Sequence, residues 1–136
     1  METFPNTFLG VCLSDKSFRE MPRLRRGRKF DWLYDEWVHH ELVKSLPLPD
    51  VSGQLSQRFA CTRDHDERAA LVCLMAALLV ANGTFLAVGD PVGGWFFLPP
   101  FRAWQPWARD ELVKGCQQLN RKGVMVRVEE VSVPYS

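Results

Sequence analysis

No two of the four cysteines, Cys12, Cys61, Cys73 and Cys116, form a CxxC pair, and none has a histidine at a zinc-site interval. A metal centre built on them is not expected, and nothing else in the chain calls for a cofactor. The first residues, Met1-Glu-Thr-Phe-Pro-Asn-Thr, lack the basic start, apolar run and small-residue cleavage site of a secretory signal. Disulfides are therefore not expected, and the compartment expected is the reducing cytoplasm. Long apolar runs are missing too. The longest, Ala69 to Ala81, has 13 residues, whereas a bilayer-spanning helix needs about 20. It is expected to be a core helix, with no membrane partner.

Catalytic constellations are equally sparse. The glycines of Gly89-Asp-Pro-Val-Gly93-Gly94 have neither phosphate-binding spacing and lead into a β-prone run rather than a helix. Cys61 lies one helical turn before Asp64-His65-Asp66, a pairing that could serve a thiol nucleophile and its base. Helix capping and the helix dipole already account for both aspartates. His39 and His40 are adjacent, so on a helix they point about 100° apart and cannot share a metal as an i, i+4 pair would. The expected role is non-enzymatic.

What is present is a globular composition: 46% apolar and 24% charged residues in a chain of 136. That length suits a single domain, 1–136, whose first 29 residues form an N-terminal strand and a basic loop. Phe8 to Leu13 sets Leu9, Val11 and Leu13 on one side, a pattern that predicts a short strand. From Phe30 to about Leu46 the helical period places Phe30, Leu33, Tyr34, Trp37, Val38 and Leu42 in one half of the wheel. Glu41 falls in the middle of that stripe, where a carboxylate is costly unless it is paired or lies beyond the core edge. Leu46-Pro47-Leu48-Pro49-Asp50 stops the helix, and a loop is expected to about Arg63.

Asp64 followed by Glu67 has the spacing of a capping box, which predicts a helix running to Ala81 or Asn82 with Gly83 as its stop. Apolar residues surround its axis, so it should be covered on most sides. Thr84 to Gly89 and Gly94 to Leu98 predict a hairpin across Asp90-Pro91-Val92-Gly93. Pro106 suits a first helical turn, with Ala108, Leu112, Cys116 and Leu119 as the buried stripe and Gly123 as the end. Val124, Val126 and Val128 alternate as a last strand, with a phase slip across Glu129-Glu130 toward Val131 and Val133 that suggests a bulge. The expected fold is α+β: a small mixed or antiparallel sheet of three to four strands with three helices, in the order β-α-α-β-β-α-β.

Two surfaces remain as candidates for function. Residues 19–29 carry Arg19, Arg23, Arg25, Arg26, Arg28 and Lys29 against one acid, Glu20, so the segment is +5 and the remainder of the chain −4. Such a loop could grip phosphates, because the guanidinium fork is bidentate; its bland counterpart is a solvated loop paired with acids of its own domain. The second surface is aromatic: Trp95, Phe96, Phe97, Phe101, Trp104 and Trp107 put six of 16 aromatic residues into 13 positions. Tryptophan and arginine dominate interface energetics, which makes Trp95, Phe101, Arg102, Trp104 and Trp107 the expected partner-binding set. The bland counterpart is that these rings close the core. The leading expectation is a small binding or regulatory protein, an adaptor or inhibitor, that meets a protein partner or a second copy of itself through this proline-flanked loop. Nucleic-acid binding by the basic loop is the alternative.

Overall fold

The computed structural model describes residues 4–48 and 53–132; Pro49, Asp50 and Val133 of the sequence reading lie outside them. Its first element is a helix, α1 (Phe4–Gly10), not a strand. The alternation of Leu9, Val11 and Leu13 misleads because Phe8, Gly10 and Cys12 are buried as well. Continuous burial on every side is what a short helix entering the core produces, and a half-exposed strand does not. A short helix α2 (Asp15–Arg19) follows, with the Ser14 side chain accepting from the Ser17 amide as its cap.

Helix α3 (Lys29–His39) buries the expected face, Phe30, Leu33, Tyr34 and Trp37. It stops earlier than the period suggests: Glu41 adopts a left-handed conformation (φ 52°) and a 3-10 turn, Leu42–Ser45, comes next. Glu41 therefore leaves the stripe for solvent, where its carboxylate meets Lys44 Nζ at 3.0 Å. The stretch expected to be a loop contains a helix, α4 (Gln54–Cys61). Its one fully buried side chain, Phe59, stacks on Tyr34 with ring centroids 3.9 Å apart, and the Tyr34 hydroxyl donates to the Phe59 carbonyl at 2.6 Å. Leu55, one turn earlier, also packs against the core, but two such positions in a stretch of eight residues are too short a repeat to declare a helix.

Helix α5 (His65–Ala81) begins where the capping box places it, with Asp64 accepting from the Glu67 amide at 3.0 Å. Val72, Met75, Ala76 and Leu79 face the core, but the helix is not covered on most sides: Cys73, Ala77 and Leu74, the last 46% exposed, face outward. The hairpin forms as expected from β1 (Thr84–Asp90) and β2 (Gly94–Leu98), with Leu86 opposite Leu98 and Asp90 opposite Gly94. The Asp90 carboxylate accepts from the amides of Val92 and Gly93, an Asx arrangement that holds the turn. Close approach of the strands requires Gly89, since a Cβ there would meet the Gly94 carbonyl oxygen at 2.1 Å.

Helix α6 (Pro106–Arg121) has Pro106 in its first turn. Of the predicted stripe only Ala108 is fully buried, and Leu119 is exposed, because the far half of α6 runs past the core. At its end a left-handed Gly123 (φ 79°) lets the Val124 amide reach back to the Leu119 carbonyl at 2.9 Å. This use of Val124 delays the last strand, β3 (Arg127–Ser132), which pairs with β1 in unbroken register through Glu129 and Glu130, without the expected bulge.

The architecture of the described residues is thus α+β with six α-helices and three strands, the sheet wholly antiparallel in the order β2-β1-β3. The helix count of three and the leading strand of the expected order are both superseded. No helix among the described residues is long and apolar enough to cross a membrane. Directly opposed residues share a face of a sheet, so Leu86, Leu98, Val88, Phe96 and Val128 lie on one side and Phe85, Ala87, Phe97, Gly89 and Trp95 on the other. Leu86 and Leu98 belong to the core cluster with Phe8, Leu9, Trp37, Val72 and Leu79, so the first side is the one the helices cover. On the other side Phe85 and Phe97 meet edge to face at 5.5 Å.

A candidate binding cleft between the helices and the sheet

The helical layer stops short of one end of the sheet. Beyond Leu98 an open cleft of about 580 Å³ lies between α1, α6 and the outer end of β1 and β2. Its walls are Phe4 and Val11, Phe18 of α2, Val88 and Phe96 of the sheet, and Trp104 and Trp107. Such a volume falls within the range of ligand-sized hollows, and an apolar lining with few polar groups is their usual chemistry.

Hydrogen bonds hold the two indoles rigidly. Trp104 is only 5% exposed and donates from Nε1 to the Pro99 carbonyl at 2.8 Å, while Phe101 packs edge to face against it at 5.4 Å. Trp107 is half-buried; its Nε1 donates to the Leu13 carbonyl at 2.7 Å and its ring meets Phe18 at 5.4 Å. The Gln105 amide donates to the Val11 carbonyl at 2.9 Å, and Trp37 Nε1 to the Leu9 carbonyl at 2.7 Å. The carbonyls of Leu9 and of the segment just after α1, Val11 and Leu13, thus find donors from distant parts of the chain, as buried backbone acceptors require. The cleft wall is preorganised.

The expected partner-binding residues are therefore split. Trp104 and Trp107 line the cleft, the former as scaffold. Phe101 is half-buried beneath the Arg109 guanidinium, 5.2 Å from its ring centroid, and Arg102 is exposed. Trp95 lies on the opposite face of the sheet. Phe96, 47% exposed and stacked on Phe4 at 6.4 Å, is the most open ring of the wall. Neither Phe4 nor Phe18 had a sequence signal, since each stands alone among polar neighbours; only Phe96 lay within the aromatic run.

The basic segment is exposed throughout apart from Leu24. Arg19 pairs with Asp15 at 3.5 Å, whereas Arg23, Arg25, Arg26, Arg28 and Lys29 have no acidic partner among the described residues. Lys29 is itself part of the cleft lining, as is Phe18, so both ends of the loop touch the cleft.

A polar network lies between α3 and α5. Arg68, buried, donates to Asp31 at 3.1 Å, to Asp35 at 3.0 Å and to the Thr62 carbonyl at 2.9 Å, and its guanidinium lies 4.4 Å above the Tyr34 ring. His65 Nδ1 is 3.0 Å from the other oxygen of Asp31. Burial alone would raise the Asp31 carboxyl, but the hydrogen bonds and charges of His65 and Arg68 outweigh it and hold it below the usual aspartate value. Burial pushes Tyr34 up to about 12. His65 is thus committed to Asp31 and to the edge of Phe30, with no hydrogen bond to Cys61 among the described residues. His40 turns to Glu36 at 3.3 Å. This constellation joins helices rather than opening on a hollow, and no group of metal-ligating side chains occurs among the described residues.

Comparison with models of known protein families, with curated proteins and with solved structures returns no match.

Proposed function

We propose that this is a non-enzymatic binding protein that acts through a protein partner, as an adaptor or inhibitor, by taking apolar side chains of that partner into the cleft. The observation that supports the reading most is the wall itself: rings from four separate stretches of chain, Phe4, Phe18, Phe96 and Trp107, line one open hollow, and the single polar atom among them, Trp107 Nε1, is already bound to the Leu13 carbonyl. A surface of rigid, exposed rings around a pocket is the anatomy of an interface hot spot. Relative to the expected loop 99–107, the contact surface moves to Phe96 and Trp107, and Trp104 becomes its support.

Partner capture followed by reconstitution with the purified components tests this. Phe96→Ser changes an exposed cleft ring, and Leu112→Ser adds a half-buried lining residue that also packs on the core, so the double variant is compared alongside Phe96→Ser alone. At unchanged thermal midpoint, a captured protein should bind each variant at least about tenfold more weakly than wild type, the effect of losing one hot-spot anchor. Equal affinity for wild type and variants would overturn the reading.

Arg23, Arg25, Arg26, Arg28 and Lys29, which have no acidic partner among the described residues, support a second reading, nucleic-acid binding through these and Arg19. It requires affinity for DNA or RNA that falls steeply with salt. Undetectable binding at low salt, or binding unchanged after Arg23, Arg25, Arg26 and Arg28 become serine, excludes it.

A further inference from the structure

We infer that the segment received by the cleft is acidic as well as apolar: its carboxylates lie over the loop between α2 and α3 while its apolar side chains enter between Phe96 and Trp107. The inference rests on the cleft being a partner site, and it adds the chemistry of the partner.

Three observations carry it. The loop begins just after Phe18 and ends at Lys29, and both residues line the cleft. The two ends of the loop are thereby anchored at the rim, since Phe18 is fixed against Trp32 at 5.6 Å and Trp107 at 5.4 Å, and Lys29, the one cation of the segment in the lining, stands one helical turn before Leu33, another lining residue. Next, the charge is unspent. Five consecutive cations of the segment, Arg23 through Lys29, have no acidic partner among the described residues, although the rest of the chain carries −4. A loop that merely balanced its own domain would be paired with it.

The lining also has polarity. Its acid, Glu111, stands on α6 and already has Lys114 at 3.8 Å, whereas Lys29 on α3 has no acidic partner among the described residues. An anionic segment gains on the α3 side and is repelled on the α6 side, which fixes its direction across the cleft. Complementary potentials of this kind speed encounter and set orientation, while the rings supply most of the affinity. A nucleic acid would use the same cations but has no need of the apolar wall.

Selection of a displayed library of random 12-residue peptides on the immobilised wild-type protein tests this. The expected peptides carry two or more aromatic or leucine anchors followed or preceded by at least two Asp or Glu. They should bind about tenfold more weakly to a variant with Arg25, Arg26, Arg28 and Lys29 changed to serine, and should weaken as salt rises. Enriched peptides that are apolar but neutral or basic, and that bind this variant equally well, overturn the inference and leave the cleft reading standing. No enrichment over the Phe96→Ser, Leu112→Ser protein overturns both. A single-stranded oligonucleotide that binds wild type and the cleft variant alike, with no acidic peptide enriched, assigns the cations to nucleic acid and also overturns it. All four loop positions are exposed, so equal thermal midpoints of variant and wild type show that charge alone was changed.

Discussion

Trp107 Nε1 donates to the carbonyl of Leu13 at 2.7 Å, across 94 positions of sequence. That bond closes the exit of α1 onto the first turn of α6 and sets the angle of one wall of the cleft. Trp107→Phe keeps the ring against Phe18 but leaves the carbonyl unsatisfied. The expected loss is about 1 kcal/mol, the usual worth of one such bond, read as a lower midpoint of urea unfolding. An unchanged midpoint would show that water replaces the indole.

Trp104 behaves differently, because its ring is in the core and its Nε1 is bound to Pro99. Trp104→Ala is expected to cost about 3–5 kcal/mol, as for other buried aromatic truncations. Any loss of binding in that variant then reports loss of fold. Circular dichroism at the temperature of the binding assay separates the two.

The Asp31 and Arg68 pair predicts a pH dependence. Asp31 is held below the ordinary aspartate value in the folded protein, so the unfolded chain binds its proton more readily. The contribution of Asp31 is complete above the ordinary value of about 3.9 and is lost as pH falls through the lower folded value. Asp31→Asn should destabilise by about 1–2 kcal/mol near neutrality, because buried Arg68 loses one charged hydrogen-bond partner but keeps Asp35 and the Thr62 carbonyl. The gap between variant and wild type should hold above the ordinary aspartate value and close as pH falls below it. A gap that stays constant would mean that Asp31 does not act through its charge.

Thiol reactivity should rank the cysteines. Cys61 and Cys73 are exposed, Cys116 is intermediate, and Cys12 is buried with its thiol pushed up to about 12 by desolvation. At pH 8 a thiol-specific chromogenic reagent should modify Cys61 and Cys73 first and Cys12 only after unfolding. Early modification of Cys12, located by peptide mapping, would show that the segment after α1 opens in the native state.

Gly89→Ala tests the hairpin. The added Cβ would lie 2.1 Å from the Gly94 carbonyl oxygen, and φ is 151°, so the strands must part. A loss of about 2 kcal/mol or more is expected, beyond the ordinary cost of a surface substitution. Amide exchange should show the loosening first at the Gly89 and Trp95 pair.

Some of this architecture is local and could be read directly. The Asp64 cap and Glu67 lie three residues apart, the Asp90 turn closes within four residues, and Pro106 needs only its own ring to favour a helix start. The long apolar run of α5 likewise declares a helix on its own. Its exposed Leu74 was not legible, because periodicity tells which residues are apolar and not how much of the axis other elements reach.

The sequence by itself determined the α+β class, the capped helix α5, the hairpin and the cationic segment, since each follows from contacts or charges within a few residues. Tertiary structure alone decided that Phe4–Gly10 and Gln54–Cys61 are helices, because segments this short are marginal in isolation and take their stability from packing. It also decided the cleft. Phe4, Phe18, Phe96 and Trp107 meet only when donors far along the chain bind the carbonyls of the segment that follows α1, and no local pattern records a partner 94 residues away.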